Sequence, residues 1–279
     1  SGDLHAGHLV REIQKINNRV YFSGIGGPHL ENQNVDLFYN ISNLSAMGLT
    51  EVIRQFGQIK NAFDLFKKKL RANTPDLIIL VDYPGFNLKA ARFAKEHYNI
   101  KILYYITPKV WAWKKSRLKK IKKYIDHSAL ILPFEEKMYK KAGIRSTYVG
   151  NPLVDVYAEN MPGILFPSDH LSTRNKDSII IGLLPGSRNA EIKNLLGIMI
   201  KAANLIHRNN NKIIFIISKA SPIKKEIIET EIEKTGKQYL FQISEGPVKE
   251  IFLKSDHLIA ASGTVTLEAA LCCVPTIIV

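Results

Sequence analysis

The amino-acid sequence predicts an α/β protein made of two doubly wound parallel-sheet domains in tandem. Short apolar runs alternate with longer amphipathic stretches, which is the rhythm of βαβ units. The apolar runs are continuous and do not alternate with polar residues, as befits strands covered on both faces. The rhythm breaks once, over residues 151–177, where Pro152, Pro162, Gly163, Pro167, Ser168, Ser172 and Asn175 gather, and then restarts. These observations place a first domain over 1–158, a linker over 159–176 and a second domain over 177–279. A length of 279 residues accommodates two domains of roughly 150 residues each.

Taken in order, residues 77–81 form the first clear strand, closed by Asp82, a Tyr83-Pro84-Gly85 turn and a helix over 88–97. A strand over 101–106 ends at Thr107-Pro108. A basic helix near 114–124, a strand over 129–132 and a helix over 134–141 follow. Beyond the linker come a strand over 179–184, the turn Pro185-Gly186-Ser187, a helix to about residue 207, a strand over 213–217 and a helix over 223–234. Strand 239–243, helix 248–254, strand 258–261, a Ser-Gly-Thr turn, a helix to Leu271 and a final strand complete the reading. Upstream, Leu49, Val52, Ile53, Phe56, Ile59, Phe63 and Phe66 recur at helical spacing, so a long amphipathic helix covers that stretch.

Composition narrows the function classes. With 46% hydrophobic and 23% charged residues, the chain is a folded one, not a disordered, collagenous or coiled-coil rod. Lys and Arg total 39 against 25 Asp and Glu, a formal net charge of +14, which calls for nucleic acid, an anionic membrane surface or phosphorylated substrates. The adjacent Cys272 and Cys273 offer neither a disulfide framework nor zinc spacing, and a reducing, cytoplasmic compartment is expected. No apolar run approaches the ~20 residues of a membrane span, so any membrane role is expected to be peripheral. The chain opens at Ser1-Gly2-Asp3 and closes in the apolar run Thr276-Ile277-Ile278-Val279, which predicts a fragment with neighbours beyond both ends.

In open parallel sheets ligands bind beyond the carboxyl ends of the strands, so chemistry is sought in the turns named above. Leu184-Pro185-Gly186-Ser187-Arg188 sets a small-residue turn and a fixed cation at a helix N-terminus. Free amides there favour an anion, and Arg188 can grip a phosphate; an ordinary βα turn with a surface Arg is the plainer reading. Ser262-Gly263-Thr264 opens a second such helix, with Glu268 one turn later placed to accept from ribose hydroxyls or simply to stabilise the helix. Two anion-ready turns in one domain favour a nucleoside diphosphate. Gly24-Ile25-Gly26-Gly27-Pro28-His29 fails the dinucleotide fingerprint at His29, and no Walker A sequence is present.

In the first half, Asp82 ends an apolar strand, where burial raises a carboxyl pKa and suits a general base; its plainer role is to cap the turn before Pro84. Asn87, Asp3, Ser1 and His5 are candidates for the same rim. The apolar stripe, with Arg54, Lys60 and Lys67 to Lys69 nearby, reads either as a core-facing helix or as an interfacial one whose cations meet anionic head groups. A second basic block, Lys109, Lys114, Lys115, Arg117, Lys119, Lys120, Lys122 and Lys123, carries Trp111 and Trp113 and would suit a membrane interface or single-stranded nucleic acid.

Taken together, the motifs resemble one family. Ser1-Gly2-Asp3, Ala46-Met47-Gly48, Val81-Asp82-Tyr83-Pro84-Gly85-Phe86-Asn87, Pro108-Lys109-Val110-Trp111-Ala112-Trp113, Leu132-Pro133-Phe134-Glu135 and Gly150-Asn151-Pro152-Leu153-Val154-Asp155 run in family order with the two phosphate turns. The family is that of the lipid-A-disaccharide synthases, inverting glycosyltransferases. The resemblance implies two Rossmann-like domains of GT-B type, both incomplete here. It implies transfer of 2,3-diacylglucosamine from UDP to the 6-hydroxyl of 2,3-diacylglucosamine 1-phosphate, giving a β-1,6 disaccharide and UDP. It further implies Asp82 as base, Arg188 on the UDP phosphates, and Ser262, Gly263, Thr264 and Glu268 in the UDP site. Ser1, Asp3 and Asn87 would stand at the acceptor rim, and Val52, Ile53, Phe56 and Ile59 would meet the acyl chains. No cofactor and no metal are implied, and no nucleic acid is expected. The implied location is the cytoplasmic face of the inner membrane, on an anionic surface. Two positions depart from the family pattern: Gly85 stands where a second Asp is usual, and Asn151 where a His is usual. The rival readings are a lipid-linked N-acetylglucosamine transferase, a UDP-sugar epimerase and, from another class, a basic nucleic-acid-binding module.

Overall fold

The computed structural model describes residues 2–41, 51–111, 115–160 and 178–279, and of residues 51–56 and 160 the backbone alone. Ser1, the Ala46-Met47-Gly48 motif, Trp113 and Lys114 lie outside the described residues. So do the side chains of Val52, Ile53 and Phe56, and all of the expected linker except residues 159 and 160. The chain divides into two compact units, Ser1–Pro152 and Leu153–Val279.

In the first unit, helix α1 (Gly2–Ile16) is followed by β1 (Ser23–Gly26), α2 (Pro28–Glu31), β2 (Asp36–Asn40) and α3 (Glu51–Ala72). Then come β3 (Leu77–Val81), α4 (Pro84–Tyr98), β4 (Lys101–Tyr105), α5 (Arg117–Tyr124), β5 (His127–Leu130), α6 (Pro133–Lys141) and β6 (Ser146–Tyr148). Strands β3 to β6 pair in sequential order, all in parallel, while β1 and β2 form a parallel pair of their own. Helix α1 crosses α2 at Gly7, where an added Cβ would lie 2.6 Å from the His29 carbonyl oxygen, so the approach requires glycine.

The expected helix at 88–97 begins earlier, at Pro84, because proline presets the first helical φ and has no amide to leave unpaired. The same effect at Pro133 ends the preceding strand at Leu130 in place of Leu132. Small buried residues Ala90, Ala91 and Ala94 let α4 lie close to the sheet. The C-terminal half of α3 packs into this core: Phe66 and Leu70 are buried, and Phe63 meets Phe86 edge to face at 5.9 Å. That part of the stripe is core. Two of its lysines are tied to carboxylates, Lys67 to Asp64 at 2.6 Å and Lys69 to Asp36 at 2.8 Å.

The second unit takes in most of α7 (Pro152–Asn160) and continues with β7 (Ile179–Leu184), α8 (Asn189–Asn209), β8 (Ile213–Ser218), α9 (Lys225–Glu233) and β9 (Phe241–Ser244). It ends with α10 (Val248–Lys254), β10 (His257–Ala260), α11 (Thr264–Leu271) and β11 (Thr276–Ile278). A short 3-10 turn at Gln238–Leu240 delays β9 beyond its expected start. The sheet order β11-β10-β7-β8-β9 is entirely parallel and reverses direction between β7 and β10. That reversal is a topological switch point, the place where an open α/β sheet holds ligands beyond its strand ends.

Candidate active site

Asp82 follows the last residue of β3, and its backbone is left-handed, with φ 50°; Tyr83 follows with φ 36°. Consecutive left-handed conformations at residues bearing side chains cost energy and persist only where the surroundings impose them. The surroundings do so here. The Asp82 amide donates to the Tyr105 carbonyl at 3.2 Å. The Asp82 carbonyl accepts from Asn87 Nδ2 at 2.6 Å and from the Tyr104 hydroxyl at 2.8 Å, and Asn87 Nδ2 also reaches the Val81 carbonyl at 3.0 Å. Tyr104 is fully buried on β4, and burial holds its phenol far above the ordinary range, so it stays a donor. Asn87, expected at an acceptor rim, has its amide committed to this backbone. The Asp82 side chain is half-buried, and among the described residues its carboxylate accepts no hydrogen bond.

The start of α1 lies against this turn: a Cβ on Gly2 would sit 3.9 Å from Asp82 Cβ and from the Val81 carbonyl. Asp3, expected at the rim, serves structure: its two carboxylate oxygens accept from the Gly27 amide at 2.7 Å and the His29 amide at 2.9 Å. It therefore caps the proline-led start of α2 from another helix. His5 is 8% exposed, and its Nδ1 has no partner among the described residues. Burial holds the imidazole below its ordinary pKa, while the charge of Asp82 pulls it up. Gly85 occupies the second position of α4, exposed, and an added Cβ there meets nothing within 4 Å.

In the second unit the two anticipated turns are neighbours across the switch point. Ala260 pairs with Leu184, and the Ala261 amide donates to the Leu184 carbonyl at 2.8 Å. Their states differ. In the first turn Glu191 reaches back over Gly186: its Oε2 accepts from the Ser187 amide at 2.8 Å and the Arg188 amide at 3.2 Å, and its Oε1 accepts from the Arg188 guanidinium at 2.6 Å. The amides of the turn read from the sequence as an anion seat thus receive the chain's own carboxylate, in the manner of a capping box. Arg188 remains 72% exposed at its side chain. Gly186 has φ 112°, and a Cβ there would collide with the Glu191 carboxylate, so no other residue fits.

The second turn is open. A Cβ on Gly263 would meet nothing within 4 Å; the Gly263 carbonyl accepts from Thr266 Oγ1 at 2.8 Å, which folds the first turn of α11, and the Ser262 amide donates to the Val279 carbonyl at 3.1 Å. Glu268 lies one turn in, half-buried, and accepts at Oε2 from the Tyr157 hydroxyl at 2.8 Å. The sequence pointed to neither Tyr157 nor Glu191. Glu191 carried a signal, three residues after Arg188, whereas Tyr157 carried none.

Of the residues expected to meet acyl chains, only Ile59 has a described side chain, and it is half-buried. Trp111 is exposed, stacks edge to face on Phe134 at 5.3 Å and donates from Nε1 to Glu135 at 3.2 Å. Among the described residues no helix is long and apolar enough to cross a membrane, and no group of three or more His, Cys, Asp or Glu is arranged to hold a metal.

Comparison with known proteins fits this architecture. The family described as lipid-A-disaccharide synthetase matches residues 1–279. A lipid-A-disaccharide synthase of Geobacter metallireducens is 37% identical over 281 residues, covering 100% of this chain and 71% of that protein. One from Nitrosococcus oceani is 38% identical over 285 residues, with 100% and 71% covered. Among solved structures, a UDP-GlcNAc 2-epimerase of Neisseria meningitidis bound to UDP-GlcNAc superposes with a TM-score of 0.67 at 12% identity, covering 99% of this chain and 79% of that one. A UDP-GlcNAc 2-epimerase of Methanocaldococcus jannaschii gives a TM-score of 0.56 at 16% identity, with 93% and 83% covered. At such identities these two structures share the fold.

Proposed function

The chain belongs to the lipid-A-disaccharide synthase family, and from that premise we propose how its residues divide the work of a glycosyl transfer. It is a glycosyltransferase of lipid A synthesis, acting on a nucleotide-sugar donor and a lipid acceptor. The donor is UDP-2,3-diacylglucosamine and the acceptor 2,3-diacylglucosamine 1-phosphate. The Asp82 carboxylate takes the proton from the acceptor 6-hydroxyl as that oxygen forms its bond to the anomeric carbon, and the bond from that carbon to the UDP oxygen breaks with inversion. The product is the β-1,6 disaccharide 1-phosphate. Charge developing on UDP is met by the Gly263 and Thr264 amides of the Ser262-Gly263-Thr264 turn and by Arg188, which exchanges Glu191 for a phosphate. Glu268 accepts from the ribose hydroxyls. No step passes through a metal or cofactor.

The observation that carries this reading is the Asp82 turn: a half-buried carboxylate held on a strained backbone by hydrogen bonds to Tyr105, Asn87 and Tyr104, while its own oxygens accept no hydrogen bond among the described residues. A structural capping Asp would spend its side chain on nearby amides, as Asp3 does. The net charge of +14 suits phosphorylated lipids and a peripheral position on the cytoplasmic face of the inner membrane, with Val52, Ile53, Phe56 and Ile59 toward the acyl chains. The test is a disaccharide assay with full-length protein. Turnover is expected with the acylated pair and not with free UDP-N-acetylglucosamine; epimerisation of the free nucleotide sugar without lipid would overturn the reading.

A further inference from the structure

We infer that Tyr157 is a positioning residue for the nucleotide: its hydroxyl fixes one oxygen of Glu268 so that the other faces the ribose hydroxyls of a uridine diphosphate. The inference rests on the reading of Glu268 given above and goes beyond it, since Tyr157 belongs to none of the motifs that suggested the family.

Tyr157 is 6% exposed and packs in the second unit's core with Leu184, Ile251, Leu258 and Ala269. Its ring is therefore fixed, and its hydroxyl donates to Glu268 Oε2 at 2.8 Å. A buried phenol can be satisfied by any carbonyl. Here it has a half-buried carboxylate, whose withdrawal from water has to be compensated by a charge-assisted hydrogen bond. Glu268 is the fifth residue of α11, too far along to serve the unpaired amides at the helix start, so helix capping does not explain it. A carboxylate offers about four lone-pair directions. Tyr157 uses one on Oε2 and leaves Oε1 to accept from a ligand.

The neighbouring groups keep this arrangement constant near neutral pH. Burial first, and then the hydrogen bond to Glu268, hold the Tyr157 phenol well above the ordinary tyrosine range, so it remains a donor. Burial pushes the Cys272 thiol up to about 11, so the sulfur adds no second negative charge beside the carboxylate. A free glutamate side chain would have to be immobilised when the nucleotide binds. Tyr157 has already immobilised this one, and preorganisation of that kind appears as affinity.

The experiment compares binding of UDP and of 2′,3′-dideoxy-UDP to full-length protein carrying Tyr157→Phe, Glu268→Gln or both, alongside melting curves and steady-state kinetics. Tyr157→Phe should weaken UDP about tenfold, leave dideoxy-UDP unchanged, and raise the donor KM with kcat held within about twofold. The double variant should bind UDP no more weakly than Glu268→Gln alone. That arm also serves if the single Tyr157→Phe variant fails to fold, because the double variant no longer strands a charge. If Tyr157→Phe keeps the preference for UDP over dideoxy-UDP while Glu268→Gln loses it, or if the double variant falls below Glu268→Gln, the positioning role is wrong and Glu268 keeps its place. If Glu268→Gln itself keeps the preference, the ribose reading of Glu268 fails, and the inference fails with it.

Discussion

The two units meet the end of a parallel strand in opposite ways. After β3 the backbone is strained and its polar groups are bonded, while the carboxylate of Asp82 has no hydrogen-bond partner among the described residues. After β7 strain falls on a glycine that tolerates it, and the charged side chains Arg188 and Glu191 are bonded to each other. A group meant to react has to be held by its backbone, because a bond to its reactive atoms would quench it. A group meant to bind can wait in a bond to a substitute and exchange it for the ligand. On the proposed reading, chemistry belongs to the first unit and nucleotide binding to the second.

The sharpest test of that division pairs Asp82→Asn with Arg188→Ala. Asp82→Asn should lower kcat by about 10²–10⁴-fold with UDP affinity unchanged, and Arg188→Ala should act chiefly on UDP affinity and donor KM. Equal loss of both quantities in both variants would break the comparison. Next, Asn87→Ala removes the amide that ties the Val81 and Asp82 carbonyls together and leaves the Asp82 carbonyl to Tyr104 alone. It should cost about 1–3 kcal/mol in denaturant unfolding and reduce kcat without weakening UDP, because only the first turn is loosened.

The glycines make a smaller contrast. Gly186→Ala forces a left-handed backbone and a collision with Glu191 and should destabilise by about 2 kcal/mol. Gly85→Asp enters open space in the first turn of a helix and should stabilise by about 0.5–1 kcal/mol, read as a rise in melting temperature. The smallest effect concerns pH. Burial alone would raise the Asp126 carboxyl, but the Lys95 ammonium at 2.6 Å and the Ile102 amide at 2.8 Å outweigh it and hold the pKa below the ordinary value. The stability from this pair is thus complete above the ordinary aspartate pKa of about 3.9 and is lost as pH falls through the lower folded value. Asp126→Asn should lower the melting temperature at neutral pH, and the gap to the parent should close in strong acid.

Much of this was legible in the sequence, and the reasons are local. The strands over 77–81 and 179–184 and the turns after them follow from continuous apolar runs closed by Pro and Gly, and both turns stand where that pattern puts them. The extent of helices was less legible where proline read as a turn residue and in fact starts the helix, as at Pro84. Whether a side chain is engaged depends on partners that spacing seldom reveals. Tyr104 looks like any residue of an apolar strand, and Tyr157 stands 111 residues from the carboxylate it holds.

A duplicated detail left a fainter mark in the sequence. Asp126-His127 and Asp256-His257 each follow a helix, and each Asp accepts through Oδ2 from the amide of a neighbouring strand residue, Ile102 or Ile180, at 2.8 Å. The same clip fastens a strand in each unit, and an Asp-His pair at matching places was its only written trace.

On the proposed reading, the Glu191 carboxylate lying over Gly186 also sets an entry threshold. It is tethered to the turn it occupies, so it competes there at an effective concentration of about millimolar or higher without diffusing away. Stray orthophosphate would have to outbid that resident anion with one phosphate's worth of contacts. An anion anchored elsewhere as well, by a sugar and a second phosphate, meets the same competitor with the rest of its binding energy in reserve. A turn that looks blocked at rest thereby filters its visitors by how much else they can hold.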